Sequence, residues 1–238
     1  MPRHAPSPVR PDTVVSGVRV EAVTVERDGR RILRDVTVEL EARRTAVIGA
    51  NGSGKSTFAR LLNGLVLPSS GSVTVHGLDT RRDAVAVRRR VGFVFTDPQA
   101  QILMPTAVED LRLSLRGAPK DEIERRVAEA LVEHGLDDRA EVPASALSGG
   151  QKQLLALASV LITDPALLVA DEPTTLLDLR NARRIGEMLL SGPAQLVVAT
   201  HDLDLAARCD RALLFEDGAI TASGEPAAVI DAYRRSVA

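Results

Sequence analysis

The sequence has no tryptophan, one tyrosine, four phenylalanines and a single cysteine. No aromatic residue precedes Phe58, so the amino-terminal segment has no ring to lay against a flat ligand. With Cys209 alone, neither an intrachain disulfide nor a cysteine-built zinc site can form, which suits a reducing compartment and a cytoplasmic location. Charge of one sign is lacking too. The chain has 30 Lys+Arg against 32 Asp+Glu, a formal net of −2, so no global field draws it to nucleic acid or anionic lipid. The densest basic stretch, Arg81–Arg82 with Arg88–Arg90, lies on an amphipathic segment and reads as a solvated helix face. No apolar run reaches the roughly 18 residues of a membrane span, so any crossing of a bilayer falls to another chain. The opening MPRHAPSPVRP holds four prolines and lacks the apolar core of a secretory signal; residues 1–17 are expected to form a disordered tail.

What remains is rich in core. At 238 residues and 45% hydrophobic, the chain can bury one large domain or two small ones. Residues 18–40 alternate apolar and polar (VRVEAVTV, then DVTVEL) around RDGRR, which predicts antiparallel strands at a sheet edge. TAVIG at 45–49 is a short continuous apolar run, expected of a strand buried on both faces, and STFARLLNGL after it has helical spacing. Similar runs recur at VGFVF (91–95), ALLVAD (166–171) and AQLVVAT (194–200), separated by helical patterns. That order predicts an α/β core with a mostly parallel sheet. Between 97 and 165 strand signals vanish and EIERRVAEALVEHGL is amphipathic at helical period, so a helical subdomain is expected there, inserted between core strands.

The loop between the first buried strand and its helix reads GANGSGKST, comprising Gly49, Ala50, Asn51, Gly52, Ser53, Gly54, Lys55, Ser56 and Thr57. It fits G-x-x-x-x-G-K-[ST] with the strand before and helix after that this phosphate-binding pattern requires. The glycines let backbone N–H groups wrap a phosphate, and the helix N-terminus adds positive potential. Lys55 is placed to reach the β- and γ-phosphates and Ser56 to hold Mg²⁺. ALLVADEP ends a buried strand on Asp171 and Glu172, at the edge where open α/β sheets bind ligands. Asp171 is expected to organise the metal or its water shell, and Glu172 to polarise an attacking water. AQLVVATHD brings His201 to a strand end, where the imidazole could bond a γ-phosphate oxygen or position that water. LSGGQ at 147–151 has no charge, yet its serine and two glycines at a helix start offer N–H donors, a hydroxyl and a dipole end. That is a second anion site, and it serves either a second anion or a nucleotide held elsewhere.

The phosphate loop, LSGGQ, ALLVADEP and THD, in this order and spacing, resemble an ATP-binding cassette (ABC) ATPase over residues 18 to about 225. The resemblance implies a P-loop NTPase fold with a RecA-like core, an antiparallel β edge, a helical subdomain at about 97–165, and residues 226–238 as a short carboxy-terminal helix or tail. It implies a head-to-tail pair of cassettes binding ATP and Mg²⁺, in which Ser148, Gly149, Gly150 and Gln151 complete a site on the partner's phosphate loop. Glu172, His201 and Lys55 are then the catalytic residues. The partner cassette is either an identical chain or a paralogue. TTLLD at 174–178 matches the family's loop along the dimer seam, with Asp178 as its acid. FARLLNGLVLPSSGSVTVHGLDT, FTDPQAQILMPT and LSGGQKQLLALASVL are similar to the ATPase subunits of energy-coupling-factor importers, which take up vitamins or transition-metal ions. FTDPQAQ and EPTTLLDLRN look most like those that serve biotin uptake, so cobalt, nickel or another vitamin is the alternative cargo. The resemblance therefore implies a transmembrane coupling subunit, a substrate-binding membrane subunit and a place at the cytoplasmic membrane face, with no nucleic-acid partner.

Two positions depart from that pattern. Thr96 stands where the family usually has a glutamine that meets Mg²⁺ and the attacking water; we expect Thr96 to reach the metal's water shell and Gln101 to serve the loop's architecture or coupling. Arg27 stands about where many cassettes stack an aromatic ring on adenine, and a guanidinium plane can stack on a base less selectively. A cofactor-assembly ATPase without a membrane partner, or a non-hydrolysing regulatory cassette, would share the same motifs.

Overall fold

The computed structural model describes residues 17–237; the expected proline-rich tail lies, but for Gly17, outside them. In chain order the elements are β1 (Val18–Arg27), β2 (Arg30–Leu40), β3 (Arg44–Ile48), α1 (Lys55–Leu61), β4 (Ser70–Val75), β5 (Leu78–Asp79), α2 (Ala84–Arg90) and β6 (Val91–Val94). There follow α3 (Ala107–Ser114), α4 (Lys120–His134), α5 (Gly149–Leu161), β7 (Leu167–Asp171), α6 (Leu179–Ser191), β8 (Gln195–Ala199), α7 (Leu203–Ala206), β9 (Arg211–Glu216), β10 (Ala219–Gly224) and α8 (Pro226–Ser236).

Two sheets form. The first, ordered β2-β1-β4-β5, is antiparallel throughout. Asp28 and Gly29 both have positive φ at the β1–β2 turn, the two-residue geometry that matches strand twist and that Asp-Gly favours. The second sheet runs β10-β9-β3-β8-β7-β6, parallel from β9 to β6 with β10 antiparallel at one edge. The period-two alternation of buried strands divides its side chains between two cores. Ala46, Ile48, Leu168, Ala170, Leu196 and Val198 face the core that includes α3, α4 and α5. Val47, Leu167, Val169, Val197 and Ala199 face the core built with β1, β2, β4 and α1.

Residues 97–165 carry α3, α4 and α5 between the adjacent strands β6 and β7. α3 starts on a capping box, Thr106 with Glu109, and α5 on another, Ser148 with Gln151; each satisfies N–H groups that a helix start otherwise orphans. α1 is only seven residues long and owes its place to packing. Phe58 is wholly buried with its ring centroid 5.0 Å from that of Phe215 on β9, and burying such a ring is worth about 1.5–3 kcal/mol. Arg88–Arg90 occupy the last turn of α2 and are exposed. The parallel strands β3, β6, β7 and β8 share one direction, so Gly49, Thr96, Glu172 and His201 all follow strand ends on the same edge of the sheet.

Candidate active site

The phosphate loop is shaped by what surrounds it. Gly49 has φ 145, and a Cβ there would lie 2.2 Å from the Phe215 carbonyl oxygen, so no other residue fits. The Gly218 amide donates to the Ser53 carbonyl at 3.0 Å, tying the loop to the β9–β10 turn. Ser53 Oγ is buried and makes no hydrogen bond among the described residues. Lys55 is 5% exposed, and its Nζ donates to the carbonyls of Gly49 (2.8 Å) and Ala50 (2.9 Å). Burial pulls its pKa down, while the nearby carboxylates of Glu172 and Asp171 work against that shift.

Beside the loop, Ser56 Oγ donates to Asp171 Oδ1 at 2.7 Å. Asp171 is 1% exposed. Burial raises its pKa above the usual carboxylate range, opposed by the Ser56 hydroxyl and then by Arg60, whose Nη2 lies 3.5 Å from Oδ2. Thr96, one strand over, donates its hydroxyl to the Asp171 carbonyl at 2.8 Å. Gln101 accepts from the Phe95 amide (3.3 Å) and donates to the Ala156 carbonyl on α5 (2.9 Å), so it braces the segment after β6 against the helical subdomain.

Glu172 has φ 52, a left-handed conformation costly for a residue with a side chain. It is held by its own amide, which donates to Ala199 O at 2.8 Å. Its Oε2 accepts from His201 Nδ1 (2.7 Å), the His201 amide (3.3 Å) and Thr175 Oγ1 (3.1 Å). Because Nδ1 faces a carboxylate oxygen, which can only accept, Nδ1 is the donor of that pair.

The LSGGQ turn is a separate structure. Ser148 Oγ accepts from the Gln151 amide (3.3 Å), and Gln151 Oε1 accepts from the Ser148 amide (2.9 Å). Ser148 and Gly149 are exposed, and Gly150 is buried. Among the described residues, no hydrogen bond joins 148–151 to 49–57 or to Asp171 and Glu172. The residues expected to share one nucleotide thus fall, within one chain, into two groups. Asp178 caps α6 through Asn181, between the exposed leucines Leu176 and Leu179. Arg27 ends β1 opposite Arg30 with its side chain in solvent, 3.8 Å from Asp28.

Arg60 and Thr175 lie within the recognised motifs but make site contacts to which the sequence assigned no role. Arg60 lies one helical turn beyond Ser56, so spacing alone places the two on one face of α1. Thr175 has no such signal; its contact depends on the tight turn after β7.

Residues 33–175 match the family model described as ABC transporter. The biotin transport ATP-binding protein BioM of Rhizobium etli is 43% identical, over 93% of this chain and 99% of that one. The nickel import ATP-binding protein NikO of Rhodobacter capsulatus is 42% identical over 82% and 83%. Among solved structures, cbiO1 from Clostridium perfringens, part of the ABC transporter complex cbiONQ, superposes with TM-score 0.80 at 31% identity, covering 92% of this chain and 93% of that one. The cassette MJ0796, solved as a dimer in a post-hydrolysis state with ADP and Pi, gives TM-score 0.78 at 28% identity, covering 88% and 98%.

Proposed function

This chain belongs to the ABC transporter family as an ATP-binding ATPase subunit, and from that premise we propose that it powers an energy-coupling-factor type importer, with biotin as cargo, from the cytoplasmic face of the membrane. The observation that carries the reading is the division of the nucleotide machinery into a phosphate loop with a buried, charged Lys55 and an uncharged LSGGQ turn, exposed at Ser148 and Gly149, with no hydrogen bond between them among the described residues. Two cassettes set head to tail unite them, each turn closing on the other's ATP.

In that assembly Lys55 exchanges the carbonyls of Gly49 and Ala50 for phosphate oxygens, and the buried Ser53 hydroxyl supplies a further donor. A buried carboxylate and a hydroxyl are the hard oxygen donors that Mg²⁺ prefers, so Ser56 and Asp171 would hold it, with Thr96 reaching its water shell. Bound there, the metal supplies neutralisation of phosphate charge. Glu172 takes the proton of the attacking water. His201, bound to Glu172 through Nδ1–H, fixes that carboxylate beside the transferring group. The partner's Gly149 and Gly150 add N–H donors and its Ser148 a hydroxyl where negative charge develops, in a site from which bulk water is excluded.

Motion is passed on through the segment after β6. A hollow of about 470 Å³ there is lined by Gln99, Ile102, Leu103, Met104, Pro105 and Lys152, among others. Leu103 is 73% exposed. We assign this hollow to a helix of the transmembrane partner, with Gln101 bracing it against α5.

Affinity purification of the tagged chain from its own membranes in detergent tests the reading. A transmembrane coupling subunit and a second membrane subunit that retains labelled biotin are expected. Retention of nickel or cobalt in place of biotin would reassign the cargo, as the relative NikO illustrates, and recovery with soluble assembly proteins alone would overturn the importer.

A further inference from the structure

The seam acid and the LSGGQ turn belong to different parts of the chain, one entering α6 and the other opening α5, yet one side chain touches both. Asn181 donates its backbone N–H to Asp178 Oδ1 at 2.8 Å and its side-chain Nδ2 to Asp178 Oδ2 at 2.9 Å. These bonds, the backbone one first, hold the Asp178 carboxyl below its usual range. The same amide lies flat against Gly150, where an added Cβ would come within 2.7 Å of Nδ2 and 2.8 Å of Cγ. The backbone bond alone caps the helix, and any residue but proline at 181 would supply it. The side-chain amide does something further: it touches both the second glycine of the LSGGQ turn and the acid at the seam.

Resting on the head-to-tail reading above, we propose that Asn181 is a positioning residue that couples the LSGGQ turn to Asp178, so that each chain presents both to its partner's nucleotide as one unit. Its effect is exerted on the other subunit's ATP. The contact spans the helical subdomain and the core, so it also keeps the two in register as the pair closes.

Mixed pairs test this, one chain made unable to use its own loop by Lys55→Ala, so that a single working phosphate loop remains per dimer. With Asn181→Ala on the chain opposite the working loop, kcat should fall about tenfold with the KM for ATP within about twofold, the pattern of lost transition-state placement and not of lost binding. With Asn181→Ala on the chain that carries the working loop, the rate should be unchanged. Asn181→Asp keeps the shape but turns a donor into a second carboxylate facing Asp178, and opposite the working loop it should lose at least as much activity. Equal loss in both placements, no loss in either, or a wild-type Asp variant would each overturn the proposal. Ser148→Arg in the same two placements separates the premise from the inference. If Ser148→Arg also acts without regard to placement, the head-to-tail reading fails. If it abolishes turnover only opposite the working loop while Asn181→Ala does nothing there, the role of Asn181 alone is refuted.

Discussion

Around the phosphate loop, charge is buried and backbone is forced; around the LSGGQ turn, the residues are neutral, Ser148 and Gly149 are exposed, and Ser148 and Gln151 cap each other. Lys55 and Asp171 are almost wholly enclosed, each with burial working against its charged form, and Glu172 sits at a positive φ. Ser148 and Gln151 satisfy each other's backbone amides at the head of a helix whose other residues are mostly core. The first region is organised at a cost that a polyphosphate with its metal would offset. The second is at rest in the free chain and offers donors to an anion it does not itself hold. Among the described residues no hydrogen bond joins the two regions.

The comparison can be broken most sharply at Glu172. Glu172→Gln should lower steady-state phosphate release by about 10²–10⁴-fold, the usual worth of general-base assistance, while equilibrium binding of ATP persists. Turnover near wild type would remove Glu172 from its role. Thr96→Ala should have a smaller effect, roughly two- to tenfold on turnover, the worth of one hydrogen bond of about 0.5–1.5 kcal/mol, together with a higher Mg²⁺ requirement. Unchanged turnover and Mg²⁺ dependence would return Thr96 to a purely structural place.

Stability offers a test in the opposite direction. The folded pKa of Asp171 is raised, chiefly by burial, so its contribution to stability is favourable at low pH, where the group is protonated, and is lost as pH rises through the folded value. At neutral pH the ionised carboxylate is therefore a burden on the free chain. Asp171→Asn should raise the melting temperature by roughly a few degrees at pH 7 while abolishing turnover, and the gap between variant and wild type should narrow on acidification. No equivalent gain should follow from Ser148→Ala, whose cap is satisfied. The smallest effect is expected at Arg27. Exposed stacking of a cation on a ring is worth about 0.5–1 kcal/mol, so Arg27→Ala should weaken ATP and GTP alike by about two- to fivefold in a binding titration, and a strong loss for ATP alone would contradict an unselective guanidinium platform.

Much of this architecture was legible in the chain because its signals are local. The apolar runs at 45–49, 91–95, 166–171 and 194–200 form β3, β6, β7 and β8, since a strand buried on both faces leaves few polar positions. Likewise the Asp28–Gly29 pair marks its own hairpin. β9 and β10 are not among the strands expected from sequence, although an apolar ALLF followed by Asp217–Gly218 carries a hairpin signal. What no local pattern states is that Phe215 closes over Gly49 and that Gly218 holds the Ser53 carbonyl. Arg60 could have been found by adding one helical turn to Ser56. Asn181 could not: its value lies in touching Gly150 and Asp178 together, a contact between elements whose pairing depends on how the inserted helices dock on the core.

The most direct test of the divided pocket is the mass of the Glu172→Gln protein in solution, measured by light scattering with and without ATP. The account predicts a monomer without nucleotide and twice that mass with ATP, the doubling lost on adding Ser148→Arg. A Glu172→Gln chain that binds ATP and stays monomeric, beside a monomeric Ser148→Arg chain that hydrolyses at the wild-type rate, would contradict it.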